Sequence, residues 1–146
     1  MIMQTIISFF ATIGFSIIFN VPKKELVFCG LAGALGWLIY MLFDVFLAHA
    51  TVVAAVFVAA IFVTVVSRFL STIRKMPTTI YMIPGVIPLV PGAGIYFTMF
   101  YIITGENAQA MLQGVESLKI AGVIAGGLLI VLSLPRRWFA LKSIQK

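Results

Sequence analysis

Met82-Ile83-Pro84-Gly85-Val86-Ile87-Pro88-Leu89-Val90-Pro91-Gly92-Ala93-Gly94-Ile95-Tyr96 decides the architecture of this chain. The stretch lies inside residues 81–103, an apolar run of 23 residues that is long enough to cross a bilayer. Three prolines and three glycines fall within the eleven residues 84–94. Each proline removes a backbone donor and crowds the preceding turn, and the glycines loosen the chain on either side. A continuous helix is not expected there. In hydrocarbon every freed carbonyl or amide costs several kcal/mol, so broken backbone survives only where protein buries it or a watery cavity wets it. Broken helices of this kind present half-helix ends, and their positive N-termini face anionic groups such as carboxylates. The alternative is a kinked packing element.

The rest of the chain reads outward from this segment. Hydrophobic residues make up 62% and charged residues 10% of 146 positions, with a mean hydropathy of +1.18. A soluble domain is about half apolar and a quarter charged, so this surface needs lipid. An all-α integral membrane protein is predicted, forming a single transmembrane domain over residues 1–146. It has about five spans, at residues 2–19, 26–43, 51–70, 81–103 and 117–134, the fourth broken by its Pro/Gly segment. The first span lacks a basic segment before it and a small-residue cleavage site after it, and is expected to be a retained helix. Residues 105–116 carry Ala108, Met111, Leu112 and Val115 at helical spacing among polar neighbours. They read as a short amphipathic outer segment, either an interfacial connector or a lid over an outer exit.

Nine of the ten Lys and Arg residues fall at one set of span ends (Lys23, Lys24, Arg68, Arg74, Lys75, Arg136, Arg137, Lys142 and Lys146), and Lys119 alone falls at the other. Cytoplasmic loops collect such residues, so the N-terminus is expected outside and the C-terminus in the cytoplasm. That orientation requires the Pro/Gly segment to cross once. The net charge of +6 is thereby a topology signal, and no nucleic-acid partner is expected.

One cysteine, one histidine and four scattered acids exclude disulfides, thiolate metal clusters, a zinc site and a Ser/His/Asp triad within the chain. No metal, cofactor or catalytic residue is predicted. Asp44 is the acid closest to an apolar span, which makes it either a proton-coupling residue or a solvated residue of the outer turn. His49 beside it reads as a loop residue, Cys29 as a small packing residue, and Arg68 as a side chain that snorkels to the interface. The tyrosines and tryptophans read as interfacial anchors, except that Tyr96 follows the broken stretch closely enough to reach a ligand. Gly30, Gly33 and Gly36, and Gly122, Gly126 and Gly127, mark faces for close helix packing or for a second subunit.

The run from Pro84 to Tyr96 resembles the PG-x-x-x-LVPG-[SA]-G-x-Y signature of the bacterial threonine/serine exporter family, in particular its short C-terminal-type half. Length, span layout and motif position extend the resemblance over essentially the whole chain. It implies a multi-pass protein of the bacterial inner membrane that works with a larger five-span partner subunit. The implied activity is export of threonine and serine driven by the proton motive force. Pro84, Gly85, Pro88, Pro91, Gly92, Ala93, Gly94 and Tyr96 are the expected substrate-binding residues, and the solute bears a carboxylate. Ala93 stands where serine is common in the family, which touches a hydroxyl contact and leaves the backbone reasoning intact. Some split pairs of the family resemble dicarboxylate exporters, so a succinate-like solute is one alternative and a scaffold or channel-forming subunit another. Membrane lipids and further copies of the chain are additional expected partners. A partner with five spans beginning in the cytoplasm would make the two halves inverted repeats, with a site at their interface.

Overall fold

The computed structural model describes residues 2–46 and 52–135. The turn around His49 and the basic tail with Arg136, Arg137, Lys142 and Lys146 lie outside the described residues. Among the described residues the chain is helical, with no strand. The α-helices are α1 (Ile2–Ile18), α2 (Leu26–Phe46), α3 (Val52–Arg74), α4 (Thr79–Val86), α5 (Gly92–Thr104) and α6 (Asn107–Ser133). Three helices are long and apolar enough to cross a membrane, and α4 and α5, bent by 51° at their break, make a fourth if taken as one span. The apolar α1 is shorter, at 17 residues.

Burial is inverted relative to a protein folded in water. The buried positions of α1 are Ser8, Thr12 and Ser16, while Ile2, Ile7, Phe10 and Ile18 are exposed. Each of these hydroxyls can turn back on the helix or reach a neighbour: Ser8 Oγ donates to the Gly33 carbonyl of α2 at 3.3 Å, and Ser16 Oγ to Thr12 O at 2.7 Å. Small, self-satisfied polar groups suit an interface in lipid, where packing replaces the hydrophobic effect as the driving force. The glycines of α2 complete it. A Cβ on Gly30 would stand 2.8 Å from the Phe9 ring, one on Gly33 would strike Thr12, and one on Gly36 would strike Val63 of α3. Gly30 and Gly33 therefore seat α1, and Gly36 seats α3.

The third helix is central, packing on α2, α4 and α6. Its Val56, Ala59, Ala60 and Val63 form the core with Val86, Leu89 and Ile124. Ala60 meets Gly127 of α6, whose Cβ position lies 3.2 Å away. Arg68 does not snorkel. Its guanidinium is buried and donates to the carbonyls of Val131 (2.8 Å), Leu132 (3.0 Å) and Leu134 (2.6 Å), where α6 runs out of intrahelical donors.

One more sequence expectation is revised. Residues 105–116 form no separate amphipathic helix. Gly105, at φ 82° and ψ 8°, caps α5 in the left-handed conformation that glycine tolerates, and α6 then runs unbroken for 27 residues. At 1.5 Å per residue that is about 40 Å, longer than a hydrocarbon core of about 30 Å. Residues 81–103 are two helices joined by a 3₁₀ turn at Ile87–Leu89 and an extended Val90.

The candidate solute cavity at the helix break

The break follows from its prolines. In an α-helix the amide of each residue bonds the carbonyl four residues back, so Pro84, Pro88 and Pro91 free the carbonyls of Ile80, Pro84 and Ile87. Each finds another donor. Ile87 N–H, tightening to a 3₁₀ bond, takes Pro84 O, and Val90 N–H takes Ile87 O at 3.0 Å. Ile80 O accepts the Cys29 thiol of α2 at 3.3 Å. Cys29 is thus more than a packing residue. Pro91, at φ −76° and ψ 58°, then sits in an inverse γ-turn closed by Gly92 N–H on Val90 O at 2.8 Å.

That turn aims a fresh helix start. Ala93 and Gly94 are in the first turn of α5, where the helix supplies no acceptor for their amides, and among the described residues no side chain caps it. Beside it lies a cavity of about 270 Å³ lined by Trp37 and Tyr40 of α2, Val52 and Val56 of α3, Pro88 to Ala93, and Ile120 of α6. Among the described residues no charged side chain lines it. The Trp37 and Tyr40 rings are 5.2 Å apart, and the Trp37 indole N–H is buried without an acceptor, the one such side-chain group among the described residues. A buried donor of this kind costs about 1–3 kcal/mol until something accepts from it. The cavity therefore sets a partly positive helix end beside the Trp37 and Tyr40 rings, a setting for a small anionic or hydroxyl-bearing group.

Of the predicted site residues, Pro88, Pro91, Gly92 and Ala93 come together at the cavity. Pro84 and Gly85 are buried in the helix packing, with the Gly85 Cβ position 3.0 Å from Val63 and 3.5 Å from Ala32. Gly94 lies where a Cβ would strike the Ser117 hydroxyl of α6. Tyr96 lines no part of the cavity. It is 64% exposed on the outer face of α5, against Phe97 and Phe100. Asp44 is exposed in the last turn of α2 and does not line the cavity either.

By sequence alone Trp37 and Tyr40 pass for interfacial anchors. Their i, i+3 spacing, which stacks two aromatic rings on one helix face, is the signal that singles them out. The acids likewise pass for scattered, yet Glu25 is buried and bonded to Arg74 and Tyr81, residues 49 and 56 positions away, a juxtaposition no local pattern announces. Among the described residues no three His, Cys, Asp or Glu side chains gather into a metal site.

The family model described as Threonine/Serine exporter, ThrE, matches residues 4–134. No curated protein and no solved structure matches the chain. The match spans helices α1 to α6 with the break and cavity inside it, and the chain belongs to the threonine/serine exporter family.

Proposed function

We propose that the chain is one half of a proton-driven exporter of threonine and serine in the bacterial inner membrane, and that the solute carboxylate binds in the cavity at the broken fourth span. The observation that carries this reading is the uncapped start of α5, whose Gly92 and Ala93 line the cavity. The cavity is moderate in size, and its polar groups are those a carboxylate or hydroxyl satisfies. A larger five-span subunit supplies the other wall, and the two halves are inverted repeats about the midplane. Five crossings fit the helix directions, because Glu25 before α2 bonds Arg74 ending α3 and Tyr81 opening α4, which gathers Lys23, Lys24, Arg74 and Lys75 at one end. That end is cytoplasmic and the N-terminus is outside.

The test is export of labelled threonine from loaded vesicles carrying this chain, the larger subunit, or both. Flux should require both and should collapse with an uncoupler. Competition by serine but not succinate identifies the amino acid as solute, and the reverse identifies a dicarboxylate. Undiminished export without this chain refutes the reading.

A further inference from the structure

Away from the cavity, a groove of about 210 Å³ separates the turn after α1, residues 19–22, from Thr79, Ile80, Ile83 and Pro84 of α4. Its walls are mainly apolar, with Asn20 and Thr79 as the polar members. Phe19 and Ile83 are exposed, so the walls continue onto the outer surface of the bundle. One carboxylate fixes both sides of the groove. Glu25, three residues after Pro22, accepts from Arg74 Nη2 at 2.8 Å and from Tyr81 Oη, one residue after Ile80, at 2.7 Å.

These bonds also set cations side by side. Lys23 and Lys24 precede Glu25, and Lys75 follows Arg74. All three lysines are exposed, and among the described residues none of them forms a salt bridge. Glu25 is already engaged by Arg74, and the other acids, Asp44, Glu106 and Glu116, belong to the opposite end of the bundle. The rim beside the groove is therefore positively charged. It stands where α1 and α3 end and α4 begins, the level at which spanning helices leave hydrocarbon for headgroups. Apolar walls open to the acyl region and free cations at headgroup depth are what an anionic phospholipid requires. A zwitterionic headgroup brings its own ammonium to the same lysines, so the charge selects the anionic one. The exposed Phe19 and Ile83 favour an acyl chain over an acidic peptide, which has no use for walls that face lipid.

We propose that this groove holds one anionic phospholipid, its headgroup among Lys23, Lys24 and Lys75 and an acyl chain between Phe19 and Ile83. The lipid fills the space that the chain itself leaves between α1 and the first half of the broken span. The site depends on neither the solute nor the cavity, only on the helices crossing a membrane.

The experiment is native mass spectrometry of the full chain in mild detergent, titrated with equal amounts of phosphatidylglycerol and phosphatidylcholine. One phosphatidylglycerol per chain should be retained about tenfold or more in preference to phosphatidylcholine. Each lysine near an anionic headgroup is worth about fivefold, so Lys23→Gln/Lys24→Gln/Lys75→Gln should weaken phosphatidylglycerol binding by more than about tenfold and leave phosphatidylcholine binding unchanged. Ile83→Trp fills the groove with every charge in place and should also lose the lipid. Lys119→Gln, at the opposite end, should bind as the parent does. Inorganic phosphate at matched concentration should not compete, which separates a lipid site from a free-anion site. Equal retention of the two lipids overturns the proposal, as do displacement by phosphate, a triple-lysine variant that binds like the parent, and an Ile83→Trp chain that keeps its lipid. The substituted side chains are exposed, so the buried packing is untouched; if a variant does not accumulate, the parent's lipid preference decides alone. No solute enters the readout, so its failure is distinct from a failure of the transport reading.

Discussion

Replacing Gly94 by alanine tests how the second half of the broken span is held. The added Cβ would fall on the Ser117 hydroxyl and 3.5 Å from its Cβ. Ser117 has little freedom to yield, since its Oγ donates to Gln113 O at 2.7 Å, and one turn along α5 the Thr98 methyl stands 3.2 Å from where a Cβ on Gly114 would be. No residue of α5 is buried and the helix packs chiefly on α6, so separating the two leaves it without a seat. One methyl forced into such a contact costs about 1–3 kcal/mol. Ser117→Gly removes the obstructing group, so the Gly94→Ala/Ser117→Gly chain should regain most of the loss, with a coupling of about 1 kcal/mol or more. Gly92→Ala is the control, because nothing lies within 4 Å of its Cβ position, and it should change stability little. Thermal unfolding of the four variants and the parent in detergent measures all of this. A Gly94→Ala chain as stable as the parent, or one that Ser117→Gly does not rescue, would refute this seating of α5 on α6.

Gly92→Leu should leave the fold intact while projecting a side chain into the open space at the cavity, and export should fall about tenfold or more at unchanged protein level, the change that about 1.4 kcal/mol brings. Trp37→Phe loses no protein hydrogen bond, because the indole N–H has none, so thermal unfolding in detergent should stay close to that of the parent. Arg68→Met removes the guanidinium donors from the carbonyls of Val131, Leu132 and Leu134 at the end of α6, leaving Val131 O the Leu134 amide, and should lower stability in detergent by on the order of 3 kcal/mol.

Much of the fold is legible in the sequence because membrane helices announce themselves by length and composition. Residues 26–43 and 51–70 correspond to α2 and α3 with small shifts at their ends, and the Pro/Gly segment fractures at its prolines. Residues 105–116 mislead because polar side chains at helical spacing look the same on an interfacial helix as on the extension of a longer one. Only Gly105, a stop for α5 four residues after Tyr101, marks where the true boundary falls. Arg68 misleads for a related reason. A charged side chain near a span end has two remedies, reaching water or finding acceptors inside, and the choice depends on whether a neighbouring helix ends at the same depth. Here α6 ends beside it.

The prolines mark the boundary between what local rules can and cannot supply. Their positions in the chain suffice to identify three freed carbonyls, and for two of them, Pro84 O and Ile87 O, the repair is local, an amide three residues on closing a 3₁₀ turn. For Ile80 O the repair is the Cys29 thiol, 51 residues earlier in the chain and on another helix. The same helix contact that brings Cys29 to Ile80 brings Glu25 to Tyr81, so the first half of the broken span is anchored by one neutral bond and one charged cluster. The second half leans on α6 through Gly94 and Gly114 without a buried residue of its own. A break held this unevenly differs from a kink in an otherwise continuous helix: its two halves rest on different neighbours, and the cavity lies where those supports diverge.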